Sequence, residues 1–179
     1  MEKVLEFAKT LINNKKGGND VAVDATCGRG NDTLFLAGKF NEVYAFDIQE
    51  DAIISTKELL KDYNNTKIIC GSNEFICTYV TKPLDCVMYN LGYLPKGDKN
   101  ITTNKDSTIK SLQNVIGNLA VEGIITIICY PGHKEGLIES KAVEEYLTSL
   151  NQKEYDVIKY DFINQINNPP FLLAVRKIK

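Results

Sequence analysis

Several features are scarce or missing in this sequence of 179 residues, and each absence excludes a class of protein. It has a single histidine, His133, and none of its five cysteines forms a C-x-x-C pair. We therefore expect no structural zinc site, no disulfide framework and no bound metal. No apolar run is long enough to span a bilayer. The N-terminus also lacks the basic start, apolar block and cleavage site of a signal peptide, so we expect a cytoplasmic protein with no membrane partner.

The charge balance lacks an excess of basic residues. The formal net charge is −2 at pH 7 and the pI is about 5.5. These values are unlike those of proteins that coat long nucleic-acid duplexes through phosphate contacts. They are compatible with a small RNA that is held by a local basic patch.

Neither an internal repeat nor a low-complexity linker divides the chain. Its 44% hydrophobic and 25% charged residues are ordinary for a soluble globular protein. We predict one domain over residues 1–179. Residues 1–16 should form an N-terminal helix and linker, because V-L-E-F-A-K-T-L-I has an amphipathic pattern.

Apolar runs that resemble strands alternate with helix-like segments along the rest of the chain. The predicted strands are 21–24, 42–46, 67–70, 84–90, 123–130, 155–162 and 171–176. The predicted helices are 31–39, 50–62, 72–80, 106–120 and 134–150. The alternation favours a parallel sheet, but N-Q-I-N-N-P-P between the last two strands is too short for a crossover helix. The predicted fold is therefore α/β: one Rossmann-like domain with a seven-stranded, mostly parallel sheet, one antiparallel strand and helices on both faces.

The segment D-A-T-C-G-R-G follows the first predicted strand and precedes the first predicted crossover helix. Ligands of open α/β sheets bind beyond the carboxyl ends of the strands, where this loop must lie. Gly28 and Gly30 allow a sharp turn and a close approach of the backbone to a ligand. The helix start offers free N–H groups, and Asn31 or Asp32 is expected to cap it.

Two cofactors compete for this loop. A dinucleotide fold needs G-x-G-x-x-G, but Thr33 stands where the third glycine belongs, and Asp24 would repel a pyrophosphate. An acid attracts the cationic S-adenosylmethionine. Acid-x-x-x-Gly-x-Gly is also the common pattern of the seven-stranded methyltransferases. We therefore predict that S-adenosylmethionine binds along residues 24–33, with the contacts Asp24, Thr26, Gly28, Gly30, Asn31, Asp32 and Thr33.

The next two strand ends supply further candidates for the nucleotide part of this cofactor. Asp47 lies about 20 residues past the glycines, where an acid can accept the ribose hydroxyls, and Ile48 and Gln49 follow it. After the third strand, Ser72 and Asn73 are placed to meet an adenine edge.

The fourth predicted strand ends in Asn90-Leu91-Gly92-Tyr93. Methyltransferases that act on amino nitrogens often carry Asn/Asp-Pro-Pro-aromatic at this place, and the outer two residues are kept here. The Asn90 amide oxygen and the Leu91 carbonyl can accept the N–H groups of a target amine. Tyr93 can stack on a base or close over the sulfonium. Asn90, Tyr93 and Asp98 are the predicted catalytic residues, with Asp98 as the proton acceptor, and Asn90 and Leu91 also contact the cofactor.

Five segments occur in the order in which a known family has them: D-A-T-C-G-R-G-N-D-T-L-F-L-A, F-D-I-Q-E-D-A-I, N-L-G-Y-L-P-K-G-D-K-N-I-T-T, Y-P-G-H-K-E-G and N-N-P-P-F-L. Together they resemble the small bacterial class I methyltransferases labelled as rRNA methylases. Members of that family act as tRNA 5-aminomethyl-2-thiouridine methyltransferases. The resemblance implies methylation of the aminomethyl nitrogen at wobble uridine 34, a tRNA anticodon stem-loop as partner, and a homodimer. Arg29 between the glycines departs from the usual family loop, as does the lack of a His near Asn73.

The RNA is expected to contact residues around the fourth and fifth strand ends. The predicted substrate contacts are Gly92, Tyr93, Lys96, Lys99, Thr102, Thr103, Tyr130 and His133. Asn168-Pro169-Pro170 is interpreted as a rigid turn away from the donor, with Phe171 lining the base pocket. Three alternatives remain open: methylation of rRNA, a nicotinamide-dependent oxidoreductase, and a non-catalytic RNA-binding module.

Overall fold

The computed structural model describes residues 1–92 and 103–179. Within them, the strands are β1 (Val21–Asp24), β2 (Glu42–Asp47), β3 (Thr66–Cys70), β4 (Leu84–Asn90), β5 (Leu119–Cys129), β6 (Tyr155–Tyr160) and β7 (Phe171–Lys177). The helices are α1 (Val4–Asn13), α2 (Asn31–Ala37), α3 (Glu50–Leu59), α4 (Ile76–Tyr79), α5 (Lys105–Gly117) and α6 (Lys134–Thr148). A 3-10 turn over Asn73–Phe75 precedes α4.

The strands form one sheet in the order β3-β2-β1-β4-β5-β7-β6. All pairs are parallel except β5–β7 and β6–β7, so β7 is the one reversed strand. This confirms the predicted α/β fold. Since β7 is antiparallel to both neighbours, β6 runs in the same direction as β1 to β5. The connection from β6 to β7 therefore lies at the same edge as the carboxyl ends of the parallel strands.

Helices cover both faces of the sheet. One core joins α5 and α6 to the sheet through side chains such as Leu112 and Val143, and the other joins α1 and α2 through Ile12 and Leu36. Because β1 is covered on both faces, all four of its residues are buried. No helix in the described part of the chain is long and apolar enough to cross a membrane.

Strand β5 begins four residues earlier than predicted, and the preceding helix ends three residues earlier. Glu122 has a φ of 64°, and the pairing register between β4 and β5 shifts between Leu84 and Cys86. Strand β5 therefore bends near Glu122, and the part of the strand before this bend was not predicted from the sequence pattern. A Cβ on Gly123 would lie 2.8 Å from the carbonyl oxygens of Ala120 and Leu84. Glycine at this bend therefore allows a close contact between neighbouring backbones.

Candidate functional site

A cavity of about 1300 Å³ opens at the carboxyl edge of the sheet. Its walls come from the ends of β1 to β5, the starts of α2, α5 and α6, part of α1 and the β6–β7 connection. The following residues predicted from the sequence line it: Thr26, Gly28, Asn31, Asp32, Asp47, Ile48, Gln49, Ser72, Asn73, Asn90, Leu91, Gly92, Thr103, Tyr130 and His133. The structure thus brings together residues that span more than 100 positions of sequence.

Asp24 lies behind the cavity wall, and the same is true of Thr33. Only 1% of Asp24 is exposed, and its carboxylate accepts hydrogen bonds from the Thr26 backbone N–H at 3.2 Å and the Thr33 hydroxyl at 2.6 Å. Burial, and next the nearby Asp32 carboxylate, raise the pKa of Asp24 to about 7. Asp24 was expected to contact a cationic ligand directly, but in this geometry its carboxylate does not reach the cavity. Because Asp24 is the buried last residue of β1, its carboxylate stabilises the glycine loop from the protein interior through these hydrogen bonds.

The two glycines of the loop have different roles. Gly28 lines the cavity, with a φ of 52°. Gly30 does not line it; a Cβ there would lie 3.0 to 3.2 Å from atoms of Thr56 in α3. Gly30, with a φ of 85°, is itself the N-cap of α2, and no side chain caps that end. The predicted capping by Asn31 or Asp32 is wrong, because both residues are already inside the first turn.

Asp47 stands at the end of β2 with both carboxylate oxygens facing backbone donors. The N–H of Gly28 donates to Oδ2 and that of Gln49 to Oδ1, each at 3.0 Å. A carboxylate oxygen has two lone pairs, so each oxygen can accept one more hydrogen bond from the cavity. The side chain is therefore held in place and still able to receive a pair of hydroxyl groups.

The neighbouring wall combines an apolar surface with an amide. Ile48 is 57% exposed although it is a large apolar residue, and it faces the cavity. Asn73 donates from Nδ2 to the Ala25 carbonyl at 3.2 Å, while its buried Oδ1 has no hydrogen-bond partner within residues 1–92 and 103–179. The hydroxyl oxygen of Ser72 accepts from the Glu74 N–H at 3.4 Å. Ser72 thus starts the 3-10 turn, and the wall offers a planar group an apolar face and one amide acceptor.

Asn90 is fixed by three contacts at the end of β4. Its backbone N–H donates to the Thr26 hydroxyl at 2.7 Å, and its Nδ2 donates to Asp32 Oδ2 at 3.2 Å. Its Oδ1 accepts from the Tyr130 hydroxyl at 2.8 Å. Burial, and next the charge of Asp32, raise the pKa of Tyr130, so this hydroxyl stays a donor near neutral pH. The amide oxygen keeps a second lone pair for a ligand.

His133 begins α6 as its N-cap. Its Nδ1 accepts from the Gly136 N–H at 3.2 Å. A Cβ on Gly136 would lie 2.2 Å from the Tyr130 carbonyl oxygen, so α6 approaches the end of β5 closely. His133 both caps a helix and lines the cavity.

A buried acid, Glu139, is linked through hydrogen bonds to Gly92 and Thr103. The Gly92 N–H donates to the Thr103 hydroxyl at 2.9 Å, and that hydroxyl donates to Glu139 Oε2 at 2.7 Å. Thr108 donates to the other oxygen of Glu139 at 2.7 Å. Burial raises the pKa of Glu139 in spite of these donors. The predicted residues Tyr93, Lys96, Asp98, Lys99 and Thr102 lie outside the described residues.

Besides Asn104, Ser107 and Glu135 at the starts of α5 and α6, two further parts of the cavity wall were not predicted from the sequence. Leu5 of α1 lines the cavity, and Lys9 of the same helix lies 3.3 Å from Asp32 Oδ1, although no motif marks this helix. The second part, Asn167–Pro170, lines the cavity because the β6–β7 connection returns at the carboxyl edge. Phe171 is 6% exposed and does not line it; the ammonium of Lys159 lies 4.3 Å from the centre of its ring. The two prolines of N-N-P-P could have indicated this part of the site from the sequence. Only the direction of β6 in the sheet, however, shows that they lie at the carboxyl edge.

Comparisons with known proteins agree with this geometry. A family model described as "Putative rRNA methylase" matches residues 43–176. A tRNA (mnm5s2U34)-methyltransferase, chloroplastic, from Arabidopsis thaliana is 33% identical, with 98% of this chain and 70% of that protein covered.

Solved structures match over nearly the full length. A protein from Clostridium thermocellum described as a "putative rRNA-methylase" superposes with a TM-score of 0.95 at 38% identity, and the match covers 99% of each chain. A protein from Streptococcus mutans described as "a putative methyltransferase", solved in complex with SAH, has a TM-score of 0.92 at 34% identity, and the match also covers 99% of each chain. The fold, the site and these matches show that the chain belongs to the rRNA methylase family of methyltransferases.

Proposed function

We propose that this S-adenosylmethionine-dependent methyltransferase methylates the 5-aminomethyl nitrogen of 5-aminomethyl-2-thiouridine at the tRNA wobble position, giving 5-methylaminomethyl-2-thiouridine. The observation that carries the proposal is the immobilised Asn90 amide at the end of β4, with one lone pair open to the cavity. The 33% identity to a tRNA U34 methyltransferase across 98% of the chain supports this choice of substrate.

The residues present fit S-adenosylmethionine, which is the cofactor. Asp47 would accept the two ribose hydroxyls, and Ile48 and the free Oδ1 of Asn73 would meet the face and the amino group of the adenine. Thr26, Gly28, Asn31, Asp32, Gln49, Ser72 and Leu91 complete the proposed donor contacts. Gly30 and Thr33 lie behind the cavity wall: Gly30 allows close packing against Thr56, and Thr33 donates a hydrogen bond to Asp24.

When bound, S-adenosylmethionine would supply a methyl group on a sulfonium: the lone pair of an unprotonated amine would form the N–CH3 bond as the S–CH3 bond breaks, S-adenosylhomocysteine would leave as a neutral thioether, and the new ammonium would give up one proton. Asn90 Oδ1 and the Leu91 carbonyl would accept the two N–H groups of that amine and aim its lone pair. A free alkylamine has a pKa near that of lysine, about 10.4. Burial in the cavity disfavours the ammonium form and so releases the lone pair. Asp98 remains the proposed proton acceptor, and Tyr93 the proposed aromatic contact.

The acceptor part of the cavity follows from the order of the strands. Asp47 and Asn90 are the last residues of β2 and β4, Tyr130 directly follows β5, and the Asn167–Pro170 turn precedes β7. Neighbouring strands are about 4.8 Å apart, so the cavity spans roughly 19 Å from β2 to β7. We assign the β2–β4 half to the donor and the β4–β7 half to a nucleobase, with contacts from Gly92, Thr103, Tyr130 and His133.

A tRNA anticodon stem-loop is the proposed partner, with Lys96, Lys99 and Thr102 as further contacts. A homodimer and a cytoplasmic location stay predictions. Ribosomal RNA is the second candidate substrate, because the matching family model is described as an rRNA methylase.

Nucleoside mass spectrometry tests the proposal. Purified protein, S-adenosylmethionine and tRNA that carries the unmethylated aminomethyl group should give 5-methylaminomethyl-2-thiouridine after digestion. Asn90→Ala should lower the rate by roughly a hundredfold, the loss expected when one positioned group is removed, while the affinity for the donor is less affected. Methylation of rRNA but not of this tRNA would support the second candidate. A fully active Asn90→Ala variant would contradict the role of the amide.

A further inference from the structure

Four polar side chains from four parts of the fold form a continuous chain beside the cavity. The ammonium of Lys9 in α1 forms an ion pair with Asp32 at 3.3 Å from Oδ1, without hydrogen-bond geometry, and Asp32 Oδ2 accepts from Asn90 Nδ2 at 3.2 Å. Asn90 Oδ1 then accepts from the Tyr130 hydroxyl at 2.8 Å. The Asp32 side chain is only 10% exposed, so solvent does little to weaken these contacts.

The chemistry of these groups determines which way the Asn90 amide points. A hydroxyl can donate or accept, so Tyr130 by itself is compatible with either orientation of the amide. An ionised carboxylate only accepts, so Asp32 must face the NH2 group. The reverse orientation would place the amide oxygen against the carboxylate. Asp32 is therefore the residue that turns the Asn90 oxygen toward Tyr130.

We propose that Asp32 is a positioning residue that sets the orientation of the Asn90 amide, and that Lys9 of α1 fixes which Asp32 oxygen does so. The inference rests on the proposed function, in which the Asn90 oxygen accepts an N–H of the target amine. It also assigns α1 to the acceptor site, outside the residues 43–176 that the family model matches.

Replacing Asp32 by its neutral isostere gives a prediction with a definite sign. In Asp32→Asn, the ammonium of Lys9 attracts the new amide oxygen to the Oδ1 position. The new NH2 group then faces Asn90 and opposes another NH2 group, so the Asn90 amide inverts. We expect kcat to fall tenfold or more, on the order of a lost charge-assisted hydrogen bond, and to fall by a larger factor than the donor affinity, to which Asp32 also contributes as a proposed donor contact.

The second substitution distinguishes positioning from packing. Lys9→Met should have a small effect alone, because the carboxylate still faces the NH2 group. In the Asp32→Asn background it should restore part of the lost rate, because the new amide can rotate and present its oxygen to Asn90. Lys39→Met is the matched control: Lys39 and Lys9 lie 5.2 and 5.3 Å from the centre of the Phe35 ring, but only Lys9 is paired with Asp32 in the described residues.

Side-chain amide NMR provides a readout that does not depend on activity. The Asn90 NH2 signals, assigned by their loss in Asn90→Ala, should shift in Asp32→Asn and gain a nuclear Overhauser contact with the Tyr130 ring. Lys39→Met should leave them unchanged.

The outcomes separate the two proposals. Wild-type kcat and unchanged Asn90 signals in Asp32→Asn would overturn the inference, and so would the lack of any rescue by Lys9→Met. If wild-type protein forms no methylated nucleoside, or Asn90→Ala keeps full activity, the proposed function fails. The NMR experiment still decides the orientation of the amide in that case.

Discussion

At the scale of single residues, Asp24 shows that a motif can be recognised correctly in the sequence although the contacts of one of its residues are not. The acid precedes the glycine loop as the pattern requires, but Thr33 and Thr26 occupy its oxygens and it is 1% exposed. Sequence alone places it at a strand end. Its burial depends on how α2 packs, which no local pattern reveals.

Asp24 should make stability depend on pH. Its pKa is about 7 in the folded protein and lies lower in the unfolded chain, so the folded state holds the proton more tightly. The contribution of Asp24 to stability is therefore greatest at pH values below its pKa in the unfolded chain and falls as the pH rises toward 7, where the buried acid ionises. Asp24→Asn removes the free-energy cost of ionising this buried acid. The melting temperature of the variant minus that of the wild type should therefore be larger at pH 8 than at pH 5. The same difference at both values would contradict the assignment.

At the scale of elements, the sequence predicted the existence of every strand and the long helices, because their apolar periodicity is strong. The predicted ends of helices and strands were wrong where local backbone geometry determines them. The bend at Glu122 extends β5, and the segment predicted as one helix over 72–80 begins with a 3-10 turn capped by Ser72. The β6–β7 connection was given the right pairing, but its place at the site depends on the sheet order.

The start of α6 is expected to tolerate no side chain at Gly136. A Cβ there would lie 2.2 Å from the Tyr130 carbonyl oxygen, so Gly136→Ala must displace the helix or the end of β5. We expect a loss of about 1–3 kcal/mol in the free energy of unfolding, measured by urea denaturation. Gly117→Ala is the control: nothing lies within 4 Å of the added Cβ, and alanine favours the end of α5. An equal loss in both variants would contradict the steric argument.

At the scale of the whole molecule, large apolar side chains remain exposed on the β6 side of the sheet. Ile163 and Ile166 are 95% and 82% exposed, and Ile158 on the edge strand is 44% exposed. Large apolar side chains with this much exposure can belong to a contact surface, and the resemblance to the family implies a second copy as the partner.

Light scattering should therefore give about twice the 20.0 kDa of one chain. Charged residues oppose burial in an interface, so Ile163→Lys combined with Ile166→Lys should reduce the measured mass to that of a single chain. A wild-type mass of one chain would contradict the homodimer. A variant that keeps the doubled mass would place the interface elsewhere.

The position of β7 also affects how the protein is made. Phe171–Lys177 is the last strand along the sequence, yet it pairs with β5 on one side and β6 on the other. During translation, the edge of β5 that pairs with β7 in the folded protein stays without this partner until the late segment has been made. The sheet therefore cannot be completed before synthesis has passed residue 177, and the nascent chain must be kept from aggregating until then.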